Sequence, residues 1–213
     1  MATRVKGTLP GRFHATGPGG LGPADFARWY RSQELAQWEI LDLAAVERLA
    51  RLLLEAERKG RHVFVMGNGG SAATAASIAV DFSKTAAPPG RKGLKCTSLA
   101  ESSAFITAMS NDHTFDDIFV KQLDNLLSPG DVVLMVSGSG NSPNLVKAAR
   151  FAKARRAKTA ALLGFDGGKL KSLVDAPVII PSGQYGVVED LHLAVSHVLT
   201  FYLRQRAEVH HAR

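Results

Sequence analysis

Beyond Gly60 the chain alternates short apolar runs with longer segments of helical spacing. Residues 62–66, 94–99, 131–136, 159–163 and 177–180 are each too short for a buried helix, several are rich in Val or Ile, and Gly, Pro or Ser lies beside them. They predict five buried strands. Between them, 71–86, 102–127 and 142–156 have helical character, and 186–205 closes the pattern as a long helix. Strand–helix alternation predicts an α/β fold with a parallel sheet covered on both faces, and it puts ligand binding beyond the carboxyl ends of the strands.

Before this region, Phe26, Trp29, Leu35, Trp38, Ile40, Leu41, Leu43, Val46, Leu49, Leu52 and Leu53 recur at helical spacing. They predict one or two amphipathic helices over 24–60, serving either contacts between copies of the chain or the cover of its own core. Residues 1–23, rich in Gly, Pro and basic side chains, read as a flexible extension, and 207–213 as a polar tail carrying His210 and His211.

With 213 residues, 46% of them hydrophobic, the chain can bury one substantial core. No apolar stretch reaches the roughly 18–20 residues needed to span a bilayer, and the N-terminus lacks the apolar region of a secretory signal, so a cytoplasmic location is expected with no membrane partner. The single cysteine, Cys96, cannot form an internal disulfide, and its apolar setting reads as core. A net charge of +7 raises nucleic acid as a partner. The basic residues are scattered, however, and no recognised motif or aromatic interleaving accompanies them, which argues against that partner.

Two loops carry the chemistry. Gly67-Asn68-Gly69-Gly70-Ser71 follows the first strand and runs into a helix; its glycines let backbone approach a ligand, and Ser71 is placed to cap the helix. The spacing is not that of a dinucleotide fingerprint, and no nucleotide cofactor is expected. Ser137-Gly138-Ser139-Gly140-Asn141-Ser142-Pro143 follows the third strand, with Ser142 in the chemistry of an N-cap and Pro143 in that of the first helical position. Three hydroxyls, backbone amides and the positive end of a helix dipole converge there, an arrangement suited to a phosphate monoester, as against an ordinary polar turn.

With these loops, Ser110-Asn111-Asp112, Phe115-Asp116-Asp117-Ile118-Phe119, Asp166-Gly167-Gly168-Lys169 and Glu189-Asp190-Leu191-His192 with His197 occur in an order that resembles the sugar isomerase (SIS) domain family, and within it the sedoheptulose 7-phosphate isomerases. The resemblance implies a three-layer α/β/α sandwich around a five-stranded parallel sheet over 61–206, with the N-terminal helices added. It implies a homotetramer with active sites at subunit interfaces. Ser71, Ser137, Ser139 and Ser142 would hold the phosphate of a sugar phosphate, Asn68, Asn111 and Asp112 would contact the rest of the sugar, and Gly69, Gly70, Gly138 and Glu189 would complete the substrate-binding set. The implied reaction is ketose–aldose isomerisation, sedoheptulose 7-phosphate to a manno-heptose 7-phosphate through an enediol. Asp81 stands where the family usually has Glu, and His197 supplies the imidazole; a carboxylate and an imidazole suit a reaction that moves a carbon-bound proton and serves sugar oxygens.

In well-studied relatives the same positions, with a histidine four residues before the carboxylate, form a zinc site. Here that position is Ser77, a poor Zn²⁺ ligand. Asp81, Glu189 and His197 would leave a three-ligand set, so the resemblance admits zinc without implying it. His192 is a further candidate for the pocket or for pairing with Glu189 across one turn. Residues 182–188, including Gln184 and Tyr185, border the sugar end with contacts left unassigned. The competing reading is a non-catalytic sugar-phosphate sensor or protein-assembly factor, which the loss of the histidine at Ser77 favours and the retention of Asp81, Glu189 and His197 opposes.

Overall fold

The computed structural model describes residues 17–209. Most of the N-terminal extension and the end of the tail, with His210 and His211, lie outside the described residues. Five strands, β1 (His62–Gly67), β2 (Lys95–Ser98), β3 (Val132–Ser137), β4 (Lys158–Gly164) and β5 (Ala176–Ile180), form one sheet in the order β2-β1-β3-β4-β5. Every pairing is parallel. All five predicted strands are present, with ends shifted by a residue or so.

Why the strand runs read as continuous rather than alternating is visible in the core. Val63 and Val65 of β1 and Val132, Leu134 and Val136 of β3 enter one buried cluster, while Phe64, Met66, Val133 and Met135 enter another across the sheet. Side chains alternate between faces in a strand, so a sheet covered on both sides needs apolar residues at every position. Helices α2 (Leu43–Arg58), α3 (Gly70–Val80) and α8 (Tyr185–Val209) cover the first face, and α5 (Val120–Leu126), α6 (Pro143–Ala154) and the short α7 (Leu170–Leu173) help cover the second. The result is the three-layer α/β/α sandwich.

The N-terminal helical segment divides at Asp42, whose carboxylate accepts from the Ala45 N–H (3.1 Å) and caps α2. Helix α2 buries Ala45, Leu49, Ala50, Leu53 and Ala56. Leu49 and Leu53 are fully buried, each contributing roughly 1.5–3 kcal/mol. In α1 (Pro23–Ile40) no residue is buried, and Leu35, Trp38 and Ile40 are exposed. One helix of the pair therefore covers the core, while the other touches it through the half-buried Tyr30.

Three sequence expectations need correction. The helix over 102–127 is broken: α4 (Ser103–Asp112) stops at His113, and a 3₁₀ turn (Phe115–Asp117) opened by Thr114 precedes α5. The Thr114 hydroxyl donates to Asp117 (2.9 Å), a local bond that competes with helix continuation. The helix over 71–86 changes to a π-helical turn at Asp81–Thr85, closed by the Ala86 N–H on the Asp81 carbonyl (2.8 Å). And α8 runs to Val209, through the start of the predicted polar tail.

Candidate active site

The site lies at the carboxyl ends of β1 and β3, where the chain leaves the sheet for α3 and α6. In the β3–α6 loop the Ser137 hydroxyl oxygen accepts from the Gly140 N–H (3.0 Å), and the Ser139 hydroxyl oxygen accepts from the Asn141 N–H (3.2 Å). Each hydroxyl still has its own proton to donate. Ser142 is the N-cap residue of α6 and Pro143 its first residue, as the sequence predicts, but the Ser142 side chain makes no capping bond. Its hydroxyl and the positive end of the α6 dipole are thus available to an anion.

This loop is clamped against 164–170. Gly138 accepts from the Gly164 N–H (2.9 Å), Gly140 from the Leu170 N–H (3.0 Å), and the Asn141 side chain from the Lys169 N–H (3.0 Å). At Gly140, φ is +63°, and a Cβ would collide with the Gly167 carbonyl. Glycine is required there by both the left-handed conformation and the approach of the second loop.

In the first loop the helix cap is Gly69, with φ 55° and ψ −125°, and not Ser71. The chain turns one residue earlier than expected because only glycine adopts that conformation readily. Ser71 becomes the second residue of α3 and is buried at 5% exposure. Asn68, expected to contact sugar, makes a reciprocal amide pair: it donates to Asn144 (3.0 Å) and accepts from it (2.9 Å). Asn144, 1% exposed, also accepts from the Leu145 N–H (2.9 Å). The pair fixes the glycine loop to the first turn of α6. Sequence reading passed over Asn144, although its position in the first turn after Ser142-Pro143 was a signal.

Asp81 and His197 are brought together. The His197 Nε2 lies 3.5 Å from Asp81 Oδ2, while the Thr85 hydroxyl donates to Asp81 Oδ1 (3.0 Å). Thr85 is four residues on, so the π-helical turn carries both the carboxylate and the group that orients it. The His197 side chain is about half exposed (48%) and that of Asp81 mostly covered (19%), so the pair opens to a substrate from the histidine side. Their separation exceeds the 2.6–3.2 Å of direct proton transfer, as is common before a substrate tightens such contacts.

Glu189 does not join this pair. Its carboxylate stands over the start of α3, with Oε1 2.8 Å from where a Cβ on Gly70 would sit. Eight residues of α8 separate it from His197, ~12 Å at 1.5 Å per residue. Burial first, then the neighbouring Asp190 charge, raises the Glu189 pKa. Among the described residues, no three His, Cys, Asp or Glu side chains converge as metal ligands. The set Asp81, Glu189 and His197 therefore does not form one metal site within this chain, and no chemical step is derived through zinc.

The remaining predictions separate in the same way. Asn111 and Asp112 end α4 on an exposed surface, bonded to each other (2.9 Å), and no hydrogen bond joins them to either loop among the described residues. His192 faces the core at 1% exposure, with neither ring nitrogen reaching a hydrogen-bond partner. The nearby Leu163 carbonyl favours the protonated ring, but burial outweighs it and lowers the pKa to about 4. His192 is a neutral core residue. Cys96 packs against the first cluster, and burial pushes its thiol up to about 12, as its core reading expects.

Two tyrosines lie here: Tyr30, which the sequence reading does not single out, and Tyr185, expected at the sugar end with its contacts unassigned and found instead on the β3–α6 loop. The Tyr30 hydroxyl donates to Asp190 (2.5 Å), tying α1 to α8 beside Glu189. Tyr185, the first residue of α8, lies over Gly138.

The geometry has a length. Ser71 is the second residue of α3 and Asp81 directly follows its last, so the two are ten residues apart, ~15 Å at 1.5 Å per residue. Gly70, Thr74, Ser77 and Asp81 recur at spacings of four, three and four, placing small and polar residues on one face between them.

The family model described as the SIS domain matches residues 32–164. A phosphoheptose isomerase of Trichlorobacter lovleyi is 41% identical over 162 residues, 76% of this chain and 82% of that one. One of Pelobacter propionicus is 40% identical over 151 residues, 71% of this chain and 79% of that one. Among solved structures, a phosphoheptose isomerase from Francisella tularensis superposes with a TM-score of 0.78 at 25% identity, covering 87% of this chain and all of that one. The counterpart from Neisseria gonorrhoeae gives 0.76 at 29%, covering 85% and 96%. A family match over more than half of the sequence, together with relatives this similar over most of their length, shows that the chain belongs to the SIS domain family, in the branch it shares with the phosphoheptose isomerases.

Proposed function

We propose that this protein is a ketose–aldose isomerase of sugar phosphates and that it converts sedoheptulose 7-phosphate into D-glycero-D-manno-heptose 7-phosphate. The observation that carries the reading is the Asp81–His197 pair, held 3.5 Å apart one helix length from the phosphate-binding loops. An open-chain heptose phosphate, anchored at its far end, spans more of that separation than a triose phosphate can. The phosphoheptose isomerases among the relatives, 36–41% identical, support the same substrate.

In this reading the phosphate sits at the amide end of α6 between the hydroxyls of Ser137, Ser139 and Ser142, with Ser71 at the adjoining helix start. The Asp81 carboxylate removes a proton from C1 of the ketose, and His197 serves the oxygens, delivering a proton to O2 as the enediol forms. Loss of the proton on O1 and return of one to C2 then give the aldose, so nothing is added or lost overall. Thr85 holds the carboxylate with Oδ2 turned to the histidine.

Assembly into an oligomer belongs to the same proposal. Leu35, Trp38 and Ile40 on α1 and Val198, Phe201 and Tyr202 on α8 are exposed, and the second group flanks His197. Contacts between copies would cover both groups and exclude water from the pair; light scattering on the purified protein measures the state. No described helix is long and apolar enough to cross a membrane. A cytoplasmic site of action accords with a phosphorylated metabolic substrate.

The test is conversion of sedoheptulose 7-phosphate by the wild type and by Asp81→Asn, each with EDTA and with Zn²⁺ restored. Asp81→Asn is expected to lower kcat by about 10²–10⁴-fold. Saturable binding of the ketose phosphate with no aldose product above the Asp81→Asn level would replace the enzyme with a sensor.

A further inference from the structure

Tyr185 opens α8, the helix that carries Glu189 and His197. Its ring lies against the backbone of Gly138: a Cβ at that position would be 2.6 Å from Cε1 and 3.2 Å from the hydroxyl. Phe165 buttresses the ring edge-on, with centroids 5.1 Å apart at 68°. The Ser139 hydroxyl lies close enough to the Tyr185 oxygen to favour its charged form. Gly138 and Ser139 belong to the β3–α6 loop, so a side chain from the last helix reaches into the middle of the phosphate loop.

Two consequences follow. The ring, wedged between Gly138 and Phe165, has little freedom to swing away, and any side chain at 138 would expel it. Burial, and then the charge of Glu189, hold the phenol's pKa above its ordinary value, so the group remains a proton donor near neutral pH. A phosphate entering the loop would draw the Ser139 proton to its own oxygens, because a charged acceptor outcompetes a neutral hydroxyl. The phenol would then stand beside an anionic oxygen, at the place where Ser139 now meets it.

We propose that Tyr185 is a phosphate-binding residue of this site, adding a phenol to the serine hydroxyls of the β3–α6 loop and registering α8 against the anchored end of the substrate. The inference rests on the sugar-phosphate reading of that loop, and it does not require that the bound sugar be isomerised. It deepens the reading by adding a contact from outside both glycine-rich loops, on the same helix as the imidazole.

Tyr185→Phe tests it, since Phe keeps the packing on Gly138 and Phe165 and removes only the hydroxyl. Inorganic phosphate binding is measured by titration calorimetry, and KM and kcat are measured with sedoheptulose 7-phosphate. The expected result is about a tenfold or greater loss of phosphate affinity with a matching rise in KM, the range for a hydrogen bond to a charged group, and kcat nearly unchanged. Tyr185→Met, which also lacks the hydroxyl, must show the same loss and stands in for the Phe variant should that one fail to fold. Unchanged phosphate affinity in the folded variants overturns the proposal. So does a fall in kcat with KM and phosphate affinity intact, which would mark Tyr185 as part of the helix packing alone. If the wild type binds phosphate without turnover and Tyr185→Phe weakens that binding, the proposal stands and the isomerase reading falls.

Discussion

Replacing His192 with Leu tests how firmly the first turns of α8 are packed beneath Glu189. His192 is 1% exposed, and its pKa falls from 6.5 to about 4 in the fold. A histidine with a depressed folded-state pKa stabilises the fold above its unfolded-state pKa, and that stability is lost as pH falls through the folded value. The window is therefore between about pH 6.5 and pH 4. Between pH 7 and pH 4.5 the single proton withdraws roughly 2–3 kcal/mol. Leu fills a similar volume and has no polar atom to leave unsatisfied, so the variant should match or exceed the wild type at pH 7. Urea unfolding at the two pH values is the assay. With an m-value of about 2–3 kcal/mol/M, the wild-type midpoint should drop by roughly 1 M more than that of His192→Leu. Equal drops in both proteins would show that His192 accepts its proton within the fold, and the burial argument would be wrong.

Gly140→Ala should cost about 1–2 kcal/mol for its left-handed backbone, and the overlap with the Gly167 carbonyl should add to that. A lowered melting temperature together with weaker phosphate binding is expected; an unchanged protein would mean that the clamp between the two loops is not rigid. Asn144→Ala removes both bonds to Asn68 and the one to the Leu145 N–H, so a loss of about 1–3 kcal/mol is expected by urea unfolding. Its KM for the sugar phosphate should rise, because the glycine loop would no longer be held to α6. A stable variant with a normal KM would return Asn68 to the sugar-contacting role first expected of it.

The sheet and its helices were legible because burial on both faces leaves runs such as Val63–Met66 and Val132–Val136 apolar at every position, a pattern that only a covered parallel sheet explains. Local bonds were harder to read. Thr114 breaks a segment of helical composition, and a π-helical turn at Asp81–Thr85 leaves no mark on apolar periodicity. The same holds at Ser71, where composition suggested a serine cap and the backbone used Gly69.

Fold class, the two loops with their serines and glycines and, through family resemblance, the pairing of Asp81 with His197 are all readable from the chain alone. These are properties of short stretches, or of positions in a recurring order. Only the tertiary structure decided which of the candidates meet. Glu189 lies two helical turns from His197, His192 turns to the core, and Asn68 is held by Asn144, seventy-six residues away. It also brought Tyr185 onto Gly138 and Tyr30 onto Asp190. The physical reason is that periodicity and capping act within a few residues, whereas contacts across helices are set by register and packing, to which residues distant in the sequence contribute together.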